Sequence, residues 1–179
     1  MPDDLPAPAP NPFRGAALDF YLDYGYYRMQ QELFTCQFVG LGERICTTHW
    51  LRLDVARVTW GPAQRSLLRR NAHLTPRVVP LGDTAEYEAL YARYRAAITF
   101  EAAATLADVL FGEATGNVFD TRVLELRDGE KLVALGVFDR GQRTLAGIVN
   151  CYDPDYRRHS LGKYLMLLKT DYEIGRAHV

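Results

Sequence analysis

The sequence predicts an α/β protein of the α+β type, in which a mainly antiparallel sheet packs against helices. Between residues 121 and 151, three apolar runs are separated by short turns, which is typical of an antiparallel meander. Residues 87–98 and 161–168 repeat apolar side chains at the spacing of a helix that buries one face. We therefore expect residues 121–173 to form one layered unit.

The last strand and helix of this unit flank a basic turn. Leu145–Cys151 is an apolar run, and Pro154 ends it because proline has no backbone donor. The helix start that follows would offer unpaired N–H groups and a partial positive charge, so the corner suits an anion such as a phosphate. A solvated turn that binds nothing is the more frequent alternative. The residues at this corner are Arg157, Arg158, His159, Ser160 as the expected helix cap, and Gly162 in the first turn.

The composition is that of an ordinary globular protein, and the formal net charge of −1 excludes a global attraction to nucleic acid or membrane. No apolar run is long enough for a membrane helix, and the first residues lack the pattern of a signal peptide. Three cysteines do not make a disulfide framework, so we expect a cytoplasmic protein.

The first eighty residues predict a smaller, aromatic-rich region. Residues 1–12 are rich in proline and alanine and are expected to be a disordered tail. A short helix is expected at 18–24, a strand at 27–38, a turn at 39–42 and a half-buried strand within 45–58. The cluster Tyr24, Tyr26 and Tyr27 indicates either core packing or stacking on a nucleobase.

A basic helix is predicted from Gly61 to about Ala72, with Asn71 as its terminator. Arg65 and Arg69 are neighbours at i and i+4, and like charges at this spacing oppose helix formation. An RNA phosphate or a carboxylate of the fold would offset the repulsion between these arginines and Arg70; a solvated face is the alternative.

A short strand is expected at 77–80 and a boundary between two subdomains near Leu81. Asp83 is expected to cap a helix that carries a tyrosine-rich stripe, and a second helix is expected at 103–110. The helix pattern breaks at Ile174, and residues 174–179 match the translation of a common sequencing adapter. We therefore expect 174–179 to be a non-native tail, and the chain to be truncated, marginally stable and inactive in transfer.

Cys36, Cys46 and His49 have partly ligand-like spacing, but a closed zinc site needs four ligands and no fourth is evident. We expect no metal, and these three residues are its only weak candidates. The sequence contains no motif for a nucleophilic triad.

Several segments together resemble the aminoacyl-tRNA–protein transferases, the arginyl and leucyl transferases that modify protein amino termini. The matching segments are Gly25-Tyr26-Tyr27-Arg28, Trp50–Val55, Gln64-Arg65 with Arg69-Arg70-Asn71, Tyr87–Tyr94 and Tyr152–Leu165. The resemblance covers roughly residues 20–173, and its specific parts are the helix ending in RRN and the segment YDPDYRRHSLGKYL.

The resemblance implies a GNAT-like acyltransferase domain at 81–173, C-terminally incomplete, behind an amino-terminal accessory region at 13–80. It implies transfer of arginine or leucine from aminoacyl-tRNA to the α-amine of proteins with acidic amino-terminal residues, which marks those proteins for N-end-rule degradation. No cofactor, DNA or membrane partner is implied.

The resemblance also implies a set of site residues. Asp153 would orient the amine beside Tyr152, and Arg158 would hold phosphate. Because the α-amine has a pKa near 8, positioning supplies much of the rate without a strong base. The expected substrate and tRNA contacts are Tyr26, Tyr27, Arg28, Arg65, Arg69, Arg70, Asn71, Arg157, Arg158, Ser160, Gly162 and Tyr164.

The chain departs from the family pattern in two places. The amino-terminal cysteine cluster is reduced to Cys36 and Cys46, and the carboxy-terminal motifs rich in tyrosine and lysine are absent. Two alternatives remain open: a CoA-dependent N-acetyltransferase, disfavoured because the turn before Gly162 lacks a first glycine, and a non-catalytic RNA-binding module.

Overall fold

The computed structural model of the protein describes residues 13–82 and 84–177. The expected tail at 1–12 and the expected capping role of Asp83 lie outside the described residues. The α+β class with a mainly antiparallel sheet is confirmed. The helices are α1 Ala16–Asp23, α2 Pro62–Arg70, α3 Ala85–Ala97, α4 Leu106–Leu110 and α5 Leu161–Ala177. The strands are β1 Tyr27–Met29, β2 Glu32–Phe34, β3 Phe38–Leu41, β4 Arg44–Thr47, β5 Thr75–Pro80, β6 Thr121–Asp128, β7 Lys131–Arg140 and β8 Leu145–Tyr152.

The centre of the protein is a four-stranded antiparallel sheet in the order β5-β6-β7-β8. The predicted meander is confirmed as β6, β7 and β8, with Val123 opposite Val137 and Val137 opposite Val149. β5 precedes the expected boundary near Leu81, yet it pairs with β6 along its whole length. The meander therefore has a further strand on one side, and β8 is the opposite edge.

Helices cover both faces of this sheet. On one face, α3 and α4 pack on a cluster that includes Leu90, Val123 and Leu135. On the other face, α5 and part of α2 pack on a cluster that includes Leu126 and Leu165. The layered unit is thus confirmed, and α3 and α4 occupy the sheet face that α5 does not cover.

The helix boundaries follow from local capping. Thr84 caps α3 by accepting the N–H of Tyr87, and Thr105 opens α4 in a capping box. Glu88 of α3 accepts the N–H groups of Leu106 and Ala107 at 2.9 and 2.8 Å, which fixes α4 against α3. The second predicted helix therefore begins three residues later than expected.

The region before α2 differs from its prediction. Residues 27–38 form a hairpin of β1 and β2 rather than one strand, and residues 38–41 are strand β3 rather than a turn. The expected strand over Trp50–Val55 is irregular and ends in a 3-10 helix at Val55–Arg57. Leu51 is 95% exposed, so the alternation of apolar residues in this segment does not mark a buried face.

Two buried polar residues attach this region to the sheet. Asp19 of α1 accepts hydrogen bonds from the Arg143 N–H and the Thr144 hydroxyl, at 3.0 and 2.6 Å. Arg28 of β1 forms an ion pair of 2.7 Å with Asp139 of β7. The aromatic-rich region is therefore held by charged groups that are themselves buried.

α5 continues through Ile174, where a break was expected. Arg176 forms an ion pair of 2.7 Å with Glu173 and donates to the carbonyl of Gly141 at 3.0 Å. The helix thus packs against the β7–β8 turn up to Arg176. Among the described residues, none of the helices is long and apolar enough to cross a membrane.

Candidate functional site

The end of α2 and the turn after β8 lie side by side and form one basic surface. Asn71 joins them: its amide nitrogen donates to the carbonyl of His159 at 3.0 Å, and its amide oxygen lies 3.0 Å from Nδ1 of the His159 ring. The rings of His73 and His159 are 5.6 Å apart. The basic surface consists of Arg69, Arg70, His73, Arg157, Arg158 and His159.

The positive charge of the basic surface is not neutralised by the protein. Within residues 13–82 and 84–177, no carboxylate forms an ion pair with Arg69, Arg70, Arg157 or Arg158. Partial burial, followed by the charges of Arg158, His73 and Arg70, lowers the pKa of His159. A cluster of exposed, unpaired cations is suited to a polyanion, whose phosphates would replace the missing carboxylates.

Several residues expected to contact RNA instead hold this surface together. Asn71 is fully buried, and Tyr164 is 4% exposed with its hydroxyl 3.4 Å from the Asn71 carbonyl. Ser160 adopts a left-handed conformation rather than the extended one typical of an N-cap, and its carbonyl accepts the Tyr164 N–H. A Cβ on Gly162 would make an ordinary contact, 3.6 Å from the Tyr152 ring, so the glycine leaves no special space there.

Asp153, expected to orient the amine, has its carboxylate engaged within the protein. It accepts from the Asp155 N–H at 3.1 Å and pairs with Lys131 at 2.9 Å and Arg93 at 3.6 Å. Burial opposes its charge, but the hydrogen bonds of Lys131 and Asp155 prevail and lower its pKa. An approaching amine would share the Asp153 carboxylate with these partners. Tyr152 packs on the ring of Tyr94 at 5.4 Å.

A cleft of about 570 Å³ lies between the exposed edge of β8, one side of α5 and the aromatic-rich region. Tyr26 and Tyr27 line it, as do Trp50 and Met166. The rings of Tyr27 and Trp50 stack with centroids 4.3 Å apart. Tyr26 is 37% exposed, so one aromatic side chain at this wall remains accessible to a ligand.

The floor of the cleft contains two polar residues that the sequence analysis missed, Lys169 and Asn150. Lys169 is 6% exposed, and burial alone lowers its pKa to about 8. A signal was present in the sequence: with Leu161 and Leu165, Lys169 continues an i, i+4, i+8 series on the buried face of α5. A lysine at a core-facing position is rare enough to indicate a specific role.

Arg28, expected to contact RNA, faces the protein interior. Its side chain is 1% exposed, and it donates to Asp139, to the Thr121 hydroxyl at 2.9 Å and to the Leu110 carbonyl at 2.7 Å. Its guanidinium also lies 4.4 Å from the centre of the Phe119 ring. These contacts consume the donors that an RNA phosphate would need.

The weak metal candidates are not gathered into a ligand set. Cys36 has the hydroxyl of Thr48 at 3.5 Å from its sulfur, and Cys46 lies on β4. In the part of the chain that the structure describes, no group of three or more His, Cys, Asp and Glu side chains has the arrangement of a metal site.

Arg65 and the other predicted arginines of α2 are exposed. Arg65 donates to the carbonyl of Trp60 just before the helix, so a backbone oxygen, not a carboxylate, accepts from it. Arg65, Arg69 and Arg70 therefore remain available to a ligand on the solvent side of α2.

The 3-10 turn between β8 and α5 carries part of the basic surface, and the cleft lies further along α5. A domain with this arrangement is suited to a polyanionic ligand. A family model described as "Arginine-tRNA-protein transferase, C terminus" matches residues 86–175, half of the chain. The chain belongs to the aminoacyl-tRNA–protein transferase family, as its sequence motifs predicted.

Curated relatives agree with this assignment. An "Aspartate/glutamate leucyltransferase" of Saccharophagus degradans is 27% identical over 84% of this chain and 63% of its own length. Proteins of the same name from Ruegeria pomeroyi and a Shewanella species are 32% and 30% identical over 65% and 66% of this chain. The chain spans between 44% and 63% of the length of these relatives.

Proposed function

We propose that the protein transfers an amino acid from aminoacyl-tRNA to the α-amine of acceptor proteins and so marks them for N-end-rule degradation. This proposal replaces the inactivity in transfer that the sequence led us to expect, because helices cover both faces of the sheet and α5 is packed up to Arg176. The observation that carries the proposal is that α5 begins at the basic surface and forms one side of the cleft. Lys169 lies eight residues after Leu161, which is about 12 Å along a helix axis. The helix thus connects a place for the tRNA backbone with a place for the reacting groups.

The names of the relatives favour leucine as the transferred amino acid, and proteins that begin with Asp or Glu as acceptors. Arginine is the alternative that the family description supplies. We further propose that the domain is GNAT-like and acts in the cytoplasm. The antiparallel sheet with helices on both faces, and the strand that leads through a turn into α5, support the GNAT-like assignment.

In this reading the basic surface holds phosphates of the tRNA acceptor end, and the aminoacyl ester enters the cleft past Tyr26. The neutral α-amine attacks the ester carbonyl, a C–N bond forms, and the C–O bond to the terminal ribose breaks. The ribose hydroxyl leaves with the proton that the amine loses. Because an α-amine has a pKa near 8, a useful neutral fraction exists at neutral pH, and alignment of the two groups supplies most of the acceleration.

Arg69→Ala and Arg70→Ala are each expected to weaken tRNA binding by roughly tenfold and to reduce the dependence of affinity on salt, since each variant loses a phosphate contact. Filter binding over a range of salt concentrations measures both effects. Arg95→Ala is the matched control, because Arg95 is an exposed arginine of α3, on the opposite face of the sheet. Unchanged affinity and salt slope in both test variants would contradict the proposal.

Filter binding with charged and uncharged tRNA separates the transferase from a simple RNA-binding module. A cleft that accepts the aminoacyl ester predicts tighter binding of leucyl-tRNA than of the same tRNA without its amino acid. Equal retention of the two forms would favour a module that contacts only the tRNA backbone.

A further inference from the structure

Lys169 is buried, and no carboxylate of residues 13–82 and 84–177 forms an ion pair with its ammonium. Within the same residues, the ammonium donates one hydrogen bond, to the carbonyl of Val137 at 3.3 Å. Glu173, one turn later on α5, pairs with Arg176 instead. At the rim of the cleft, Arg143 is directed to Asp19 at 3.8 Å. A buried charge with one partner is costly, so a ligand that supplies an anion would find its binding partner already in place.

Asn150 has a buried acceptor that lacks a donor. The oxygen of its side-chain amide is buried, and no group in the described part of the chain donates a hydrogen bond to it. It lies close to Lys169, because a Cβ placed on Gly136 would meet the Asn150 oxygen at 2.9 Å and the Lys169 nitrogen at 3.3 Å. Gly136 of β7 thus leaves the space in which the two groups approach each other on the cleft floor. Together they present a cationic donor and a neutral acceptor, both without full partners.

We infer that Lys169 and Asn150 form the subsite for the first residue of an acidic acceptor, an inference that rests on the proposed function. The side-chain carboxylate of an amino-terminal Asp or Glu pairs with the Lys169 ammonium. The α-amine of the same residue donates to the Asn150 amide oxygen. One amino-terminal acidic residue therefore satisfies both groups, and it holds the nucleophilic nitrogen at a fixed place beside α5.

Other ligands satisfy only half of this pair. A phosphodiester or a free carboxylate has acceptors for Lys169 but no donor for the Asn150 oxygen. A first residue with a neutral side chain has the amine donor but leaves the Lys169 ammonium without a counter-ion. A terminal amine and a carboxylate a few bonds apart distinguish Asp and Glu at a chain start from internal acidic residues, whose backbone nitrogen keeps a single N–H donor and carries the preceding residue.

The test uses fluorescence anisotropy with labelled peptides that differ only at their first residue. The protein should bind the peptide that begins with Asp roughly tenfold more tightly than the one that begins with Asn, as expected for one charge-assisted hydrogen bond in a buried site. Acetylation of the Asp amine leaves one N–H but adds an acyl group beside the buried Asn150 oxygen, and it should weaken binding by a similar factor. Equal affinity of the wild-type protein for the three peptides would overturn the inference.

Two variants assign the two contacts separately. Lys169→Met should remove the preference for Asp over Asn, and Asn150→Leu should remove the sensitivity to acetylation while the preference for Asp remains. Lys163→Met is the control, because Lys163 is an exposed lysine on the same helix, and it should behave as the wild type. A preference for Asp that survives Lys169→Met would refute the assignment.

Because these peptide-binding measurements use no tRNA, their outcome does not depend on whether the proposed transfer from tRNA is correct. Tight binding of charged tRNA by a protein without peptide preference would leave the transferase proposal standing and overturn the subsite. If the protein clearly prefers the Asp peptide but does not bind tRNA, the subsite is supported and the transferase proposal is refuted.

Discussion

Replacing Arg28 with methionine is expected to lower the free energy of unfolding by about 3–5 kcal/mol. Asp139 is fully buried, and one of its carboxylate oxygens already lacks a hydrogen-bond partner. Burial raises the pKa of Asp139, and Arg28 and the Thr121 hydroxyl act against that rise. Without Arg28 the carboxylate keeps one strong partner and must remain charged in an apolar setting or take up a proton. Urea denaturation followed by circular dichroism measures the loss.

The control for this prediction is Arg52→Met. Arg52 forms an ion pair of 3.2 Å with Asp23, and both side chains are more than half exposed. Exposed pairs contribute about 0–1 kcal/mol, so this variant should be nearly as stable as the wild type. Similar losses in the two variants would contradict the prediction, because the buried pair of Arg28 and Asp139 would then contribute no more than the exposed pair.

Lys169→Met is expected to do the opposite and to raise the free energy of unfolding at pH 7 by on the order of 3 kcal/mol. Burial lowers the pKa of Lys169 to about 8, which means that the folded state disfavours its charged form. Methionine has a similar length and no charge, and it can fill the same space against β7. A residue that lowers the free energy of unfolding is expected at a position where its charge is needed to bind a ligand.

The stability difference between Lys169→Met and the wild type should also depend on pH, because the pKa of Lys169 differs between the folded and unfolded states. At pH 7 Lys169 is mostly protonated in both states, and folding carries the full cost of its burial. As pH rises from about 8 toward the unfolded pKa of roughly 10.4, the folded state has released its proton and the unfolded state has not, so the wild type gains stability. The difference between Lys169→Met and the wild type should therefore shrink over this window, and a constant difference would contradict the prediction.

Much of the fold follows from local sequence patterns. β6, β7 and β8 were predicted because their apolar runs and turn residues are strong signals, and α3 because its tyrosine-rich stripe is buried as expected. We did not predict that helices cover both faces of the sheet, because an apolar stripe on a helix does not indicate which surface the helix packs against. The segment Trp50–Val55 alternates as a strand does, but it pairs with no strand of residues 13–82 and 84–177, and Leu51 and Leu53 are exposed.

The two halves of the basic surface were predicted separately, as the arginines of α2 and those of the turn after β8. They form one surface because Asn71 makes hydrogen bonds to His159, 88 residues away in the sequence. Arg28 and Asn71 were expected to contact substrate or tRNA because they lie in segments that resemble the family, yet both are buried with internal partners. Lys169 was missed for a different reason, since its i, i+4, i+8 spacing from Leu161 and Leu165 already placed it on the buried face of α5.

Transfer itself tests the central claim most directly. The protein is given leucyl-tRNA, arginyl-tRNA or acetyl-CoA together with a peptide that begins with Asp, and mass spectrometry identifies the group on its α-amine. We expect one added leucyl residue, or one arginyl residue, that depends on charged tRNA and is absent from the peptide that begins with Asn. An acetylated product, or a peptide left unchanged by every donor, would contradict it.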